Sequence, residues 1–183
     1  MRCLLAAYVG GDPAELRFRY TEYGKPLLDA PSLSFNLAHS QDRALFAIAN
    51  GIEIGVDVEV MDSSLADESV AEHFFTPQEV ADLNSVGADD RTRAFLMCWT
   101  RKEAYIKARG EGLSLPLHEF AVTLREDEPP RLRWTAWSDV EPETWQLVDV
   151  SADEAGYVAA VAARAPSVDV ERRDLGAIPT PDP

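Results

Sequence analysis

Hydrophobic and polar positions follow two rhythms along this chain, and the changes between them mark its elements. From Cys3 to Gly10 the run CLLAAYVG predicts a short helix that stops at Gly10-Gly11, and LRFRY, from Leu16 to Tyr20, alternates like a strand. Phe35 to Ala38 reads as a short apolar strand. The run ALFAIANGIEIGVDVEV then reads as two strands about Asn50-Gly51, a dipeptide that favours the type I′ turn of a hairpin. Period two in the second strand sets Ile54, Val56 and Val58 on one face and Gly55, Asp57 and Glu59 on the other, so two carboxylates point the same way.

After Phe74 the rhythm lengthens. In FFTPQEV, Thr76 as N-cap, Pro77 at the first helical position and Glu79 at the third make a capping box that opens a helix to about Asn84. A longer helix is predicted from Asp89 or Asp90 to about Arg109, stopped by Gly110, with Arg109 suited to the negative end of its dipole. On it Trp99, Glu103 and Lys107 are spaced four apart and share one face. HEFAVTLR, RLRWTAW, TWQLVDV and GYVAAVAAR read as further strands, with EDEPP and SDVEPE as the turns between them. Beyond Ala165 the sequence is polar and proline-rich and reads as a frayed tail.

At 183 residues and 46% hydrophobic, the chain can bury one substantial core, or two small lobes sharing one. No apolar run is long enough to span a membrane, and the opening MRCLLAAYVGGDP lacks the apolar stretch and cleavage site of a signal peptide, so a cytoplasmic location is expected. Cys3 and Cys98 match no CxxC spacing and suggest neither a disulfide framework nor a zinc site. Thirty-two acidic against 17 basic residues, a formal charge of -15, disfavour nucleic acid or an anionic membrane as partner. From Arg91 to Arg109, however, there are six basic residues and one acid, so charge is locally inverted. Lysine is scarce: only Lys25, Lys102 and Lys107 occur beside 14 arginines. A compact ammonium can sit on a phosphate oxygen or transfer a proton in ways a guanidinium cannot, which makes these three candidates for site chemistry.

Asp57 and Glu59 on one strand and Glu103 on a helix could supply three carboxylate oxygens to a hard divalent cation such as Mg²⁺, whose shell waters and substrate phosphates complete. By spacing alone a D-x-E pair is most often solvated charge, and Glu103 with Lys107 is also an ordinary i,i+4 helix pair. The flanking Ile54, Val56 and Val58 favour a buried strand, where paired carboxylates need a cation. Trp99 reads as core, His39 as a structural or a ligand-binding histidine, and Gly24-Lys25-Pro26 as a turn with Lys25 exposed.

Taken in order, YGKPLL, FNLAHS, GVDVE, FFTPQE and WTRKEAYIKARGEGLSLPL resemble the motifs of the 4′-phosphopantetheinyl transferase superfamily, Sfp type, over about Arg2 to Ala163. The resemblance implies an α+β fold of two similar lobes about a pseudo-twofold axis, with the metal site between them. On this chain it implies an incomplete first lobe over 1–60 carrying the GVDVE strand, a second lobe over 61–165 carrying the WTRKEAYIK helix, and a disordered tail over 166–183. It implies an enzyme of the holo-[acyl-carrier-protein] synthase type, which moves 4′-phosphopantetheine from coenzyme A to a serine of an apo acyl- or peptidyl-carrier protein and releases adenosine 3′,5′-bisphosphate.

Carried over by residue, the resemblance makes Asp57, Glu59 and Glu103 the ligands of Mg²⁺, or of Mn²⁺ in its place, bridging the coenzyme A diphosphate. Lys107 would contact the phosphates and assist the leaving group. Gly24, Lys25 and His39 would hold the nucleotide end, His39 at the 3′-phosphate, and Arg2 would also contact coenzyme A. The carrier serine would attack the β-phosphorus, its proton taken by Glu103 directly or through a water, so that Asp57, Glu103 and Lys107 form the catalytic set. Expected partners are coenzyme A and a carrier protein of polyketide, nonribosomal-peptide or fatty-acid type, docked through an apolar patch near FFTPQE. No nucleic acid or membrane is expected, and a monomer is the expected unit.

Two departures from the family pattern stand out. Ala38 replaces a serine that helps bind coenzyme A, and losing one hydrogen bond to a charged group costs about 1.5 to 3 kcal/mol. The family also carries further sequence upstream of the Arg2 helix, which predicts either a misassigned start or a short form of reduced activity. A non-catalytic coenzyme A-binding protein and a metal-dependent phosphohydrolase are the other classes the same residues suit.

Overall fold

In the computed structural model, which describes residues 1–29, 32–66, 68–151 and 156–175, the long helix lies directly on the GVDVE strand. The chain runs through α1 (Arg2–Val9), β1 (Phe18–Tyr20), β2 (Pro26–Leu28), β3 (Leu33–Ser40), β4 (Arg43–Asn50) and β5 (Ile54–Val60). It continues through α2 (Glu68–Phe74), α3 (Pro77–Ser85), α4 (Arg91–Arg109), β6 (Phe120–Val122), β7 (Leu132–Thr135), α5 (Glu141–Thr144), β8 (Trp145–Asp149) and β9 (Tyr157–Arg164). This is the α+β class that the family resemblance implies.

Strand β5 is covered on both faces. Ile54, Val56 and Val58 pack with Ala38 and Ala47 of the β3–β4 pair. The opposite face meets α4 so closely that a Cβ added at Gly55 would lie 2.1 Å from the Ala104 carbonyl oxygen and 2.4 Å from the Ala108 nitrogen. Glycine is what lets the helix backbone reach the strand here. The other side of α4 builds the main core, where Phe95, Tyr105 and Ile106 meet Phe75, Leu83, Phe120 and Trp145. A smaller cluster of Leu5, Leu28 and Phe35 sits under α1.

The expected Asn50-Gly51 hairpin does not form. Gly51 does turn the chain, at φ 68°, but β4 pairs back with β3 across the tight turn at Gln41, and β5 takes β9 as its antiparallel partner, Asp57 opposite Ala160. β8 completes that sheet in the order β5-β9-β8. On the other flank of β5, side chains of β3 replace a backbone ladder: Asn36 Oδ1 accepts from the Val56 N–H at 2.9 Å and Ser40 Oγ from the Val60 N–H at 3.1 Å. With those donors satisfied, β5 needs no ladder from β4.

The caps are as the sequence predicts. Thr76 and Glu79 form the reciprocal capping box of α3, and α4 ends at Gly110 in the left-handed conformation. The segment SDVEPE, which reads as a turn, holds all but the last residue of the four-residue α5, and the turn at Gly24-Lys25-Pro26 runs straight into β2. The ladder between β5 and β9 joins the segments on either side of residue 60 into one sheet. Of the tail, 166–175 has no regular structure and is tied back by Gln146 to the Pro166 carbonyl and by Arg172 to the Ser151 carbonyl; 176–183 lie outside the described residues. Among the described residues no helix is long and apolar enough to cross a membrane.

Candidate active site

Between Ala94 and Ala108, α4 is buried except at Trp99, Glu103 and Lys107, the stripe that the i,i+4 spacing predicts. Trp99 stacks on Phe95 and meets Phe74 edge-on, so it belongs to the core margin. Glu103 and Lys107 look onto Asp57. The Lys107 ammonium sits 2.5 Å from Asp57 Oδ1. Asp57 itself is only 4% exposed, and among the described residues its Oδ2 is buried with no hydrogen-bond partner. Desolvation pushes the Asp57 carboxyl up to about 7; Lys107 opposes the shift, and repulsion from Glu103 and Glu59 adds to it. Glu103 is raised as well, by burial first and also by Glu59, with Lys107 again opposing. Glu59 is half-buried and its Oε2 accepts from Ser40 Oγ at 2.9 Å.

Three carboxylates therefore share one neighbourhood, in which Glu59 opposes the ionisation of Asp57 and Glu103, and Glu103 that of Asp57. That donor set fits a hard divalent cation, and the unpartnered Asp57 Oδ2 is the oxygen left for one, since Oδ1 carries Lys107. Among the described residues no three His, Cys, Asp or Glu side chains stand close enough to form a ready ligand group. Closing a shell calls for Glu59 and Glu103, both of which keep some exposure, to turn towards Asp57.

Several expected residues lie elsewhere. Lys102, a candidate from lysine scarcity, is fully buried on the far side of α4, ion-paired with Glu79 at 2.8 Å. Lys25 is not exposed: its ammonium donates to the Ile54 carbonyl at 3.1 Å and the Ala108 carbonyl at 2.6 Å, clamping the turn to the start of β5 and the end of α4. Desolvation there lowers its pKa to about 8. Gly24 sits in that turn at φ 83°, its N–H bonded to the Thr21 carbonyl. Arg2 donates to the Pro13 and Leu16 carbonyls and lies over Phe18. His39 is exposed, on the opposite face of β3 from Asn36, Ala38 and Ser40. The structure does not bring Arg2 or His39 to Asp57.

Among the described residues, the cations of the basic run of α4 are each engaged by a neighbour. Arg93 pairs with Glu126, Arg101 binds the Thr123 carbonyl, Arg109 bridges Glu111 and Glu141, Arg91 bonds Asn84, and the two lysines are paired as above. Sequence reasoning missed Ser40, which orients Glu59. The available signal was phase: Ser40 follows Ala38 by two residues in FNLAHS and so shares its inward face.

The model of the 4′-phosphopantetheinyl transferase superfamily matches residues 53–162, the span that holds Asp57, Glu59, Glu103 and Lys107. The chain is 38% identical over 146 residues to the 4′-phosphopantetheinyl transferase HetI of Nostoc sp., which covers 77% of this chain and 61% of that protein. It is 38% identical over 117 residues to the 4′-phosphopantetheinyl transferase Sfp of Bacillus subtilis, covering 63% and 51%. The chain thus spans between half and two thirds of the length of these curated relatives. Among solved structures, a holo-(acyl-carrier-protein) synthase of Bacillus anthracis, in complex with CoA (3′,5′-ADP), superposes with a TM-score of 0.50 at 19% identity, over 63% of this chain and 98% of that one, a likeness of fold.

Proposed function

Because the chain belongs to the 4′-phosphopantetheinyl transferase superfamily, Sfp type, we propose that it transfers 4′-phosphopantetheine from coenzyme A to a serine of an apo acyl- or peptidyl-carrier protein. The observation that carries this reading is a buried Asp57 with one unpartnered oxygen, flanked by Glu59, Glu103 and Lys107 inside the span the family model matches.

Asp57, Glu59 and Glu103 would hold Mg²⁺, which when bound supplies positive charge to the diphosphate oxygens as the phosphoryl group transfers. Ser40 keeps Glu59 from turning to solvent. Glu103, whose burial raises its proton affinity, takes the proton of the attacking serine. Lys107 is the compact cation beside both carboxylates, and its partial exposure lets it follow the departing adenosine 3′,5′-bisphosphate. Lys25, committed to two carbonyls, serves coenzyme A by holding the Gly24 turn against the end of α4. Arg2 and His39 belong to the nucleotide end and act away from the reacting phosphorus.

The test is direct. Purified protein, coenzyme A and Mg²⁺ are incubated with apo carriers of the fatty-acid and peptidyl types, and each carrier is weighed by mass spectrometry. Phosphopantetheine on the carrier serine, absent when a chelator is added, is the expected result. Coenzyme A retention without modification identifies a binding protein, and cleavage of coenzyme A without carrier identifies a hydrolase; either outcome refutes the reading.

A further inference from the structure

Lys102 immediately precedes Glu103 yet points away from it, into the core. Its ammonium donates to the Leu117 carbonyl at 2.7 Å, the Phe120 carbonyl at 2.6 Å and Glu79 Oε2 at 2.8 Å, and lies 4.3 Å from the centroid of the Phe120 ring. Glu79, also fully buried, takes the Thr76 N–H at 2.8 Å and the Thr76 hydroxyl at 3.0 Å on Oε2, and the Val122 N–H at 2.8 Å on Oε1. One ion pair thereby joins the start of α3, the middle of α4 and strand β6. We propose that the Glu79–Lys102 pair is a positioning device, which fixes how far α4 is turned about its axis and so aims Glu103 and Lys107 at Asp57.

Two constraints support this. Consecutive helical side chains are separated by about 100° of rotation, so anchoring Lys102 sets the bearing of Glu103. On the opposite side, the contact of α4 with Gly55 has no room even for a methyl group, so the helix is gripped from both sides, by backbone at β5 and by charge at Glu79. A buried ion pair is seldom more stabilising than apolar side chains of the same volume, and what it adds is a defined geometry.

The proposal rests on the transferase reading for one of two readouts and is independent of it for the other. The double variant Glu79→Gln/Lys102→Met removes both charges and nearly keeps the volume. It should unfold cooperatively, with kcat for carrier modification lowered about a hundredfold and KM for coenzyme A within about threefold of the parent. Hydrogen exchange in the peptide covering 55–60, which holds none of the substituted side chains' own partners, and in the neighbouring peptide 103–109 should quicken about tenfold. Parental kcat and parental exchange in a folded double variant would overturn the proposal and leave the pair as ordinary core. Should the double variant not fold, Glu79→Asp, which keeps both charges and shortens one arm by a methylene, decides by the same two measurements. If the parent protein transfers nothing, the functional reading fails by itself, and the exchange comparison still decides on positioning.

Discussion

Asp57→Asn should lower carrier modification by at least about a thousandfold, while the metal-free variant melts at the parent's temperature or above it. The side chain is nearly isosteric, so β5 keeps its packing, but the carboxylate that anchors the proposed cation is gone. The stability half of the expectation follows from linkage. Folding raises the Asp57 carboxyl from 3.8 to about 7, so the folded chain holds this proton more tightly than the unfolded chain does. Stability from this group is complete below about pH 4 and is lost as pH rises through about 7, a cost on the order of 4 kcal/mol for the ionised form. Melting temperatures of metal-free parent and variant should therefore coincide near pH 4, separate as pH rises towards 7 in favour of the variant, and stay separated above. A variant that melts lower than the parent at pH 8 would show that the pair with Lys107 outweighs the burial of the charge.

Gly55→Ala is expected to be the most damaging single methyl group in the protein. Ordinary contact for a Cβ begins about 3.4 Å from its neighbours, and the atoms met at 2.1 and 2.4 Å are backbone of α4, which cannot rotate aside. Either α4 lifts off β5 by more than an ångström or the strand bends, and both separate Glu103 and Lys107 from Asp57. Overpacking of this kind costs about 3 kcal/mol, near 10 °C of melting temperature for a chain of this length, and transfer should fall with it. Gly51→Ala is the control: a Cβ there meets nothing within 4 Å and bears only the strain of φ 68°. Thermal unfolding of the two variants side by side checks the claim, and equal melting temperatures would refute it.

What could be read from the sequence was what local physics determines. Thr76-Pro77-x-Glu79 and Gly110 announce helix ends because capping uses residues within one turn, and the alternation of β5 announces two carboxylates on one face because side chains on a strand alternate. Pairing of β5 with β9 was not legible. Asn50-Gly51 signals a turn, but which strand follows it into a ladder depends on Asn36, Ser40 and a partner near the other end of the chain. The lysines show a similar limit. Scarcity marked Lys102 and Lys107 alike, and only direction separates them: Lys107 continues the stripe from Trp99 and Glu103, whereas Lys102 is a quarter-turn away and meets Glu79. In sequence Glu79 is a cap, as it is in the structure, but its bonds to Lys102 and Val122 depend on elements distant in sequence.

In the proposed site, Asp57, Glu59 and Glu103 share one divalent ion. Mn²⁺ titrated into the protein in the presence of coenzyme A, with free ion followed by electron paramagnetic resonance, addresses it without any carrier. A single site per chain is expected, with affinity weakened at least about tenfold in each of Asp57→Asn, Glu59→Gln and Glu103→Gln. Undiminished Mn²⁺ binding in Asp57→Asn and Glu103→Gln would contradict it.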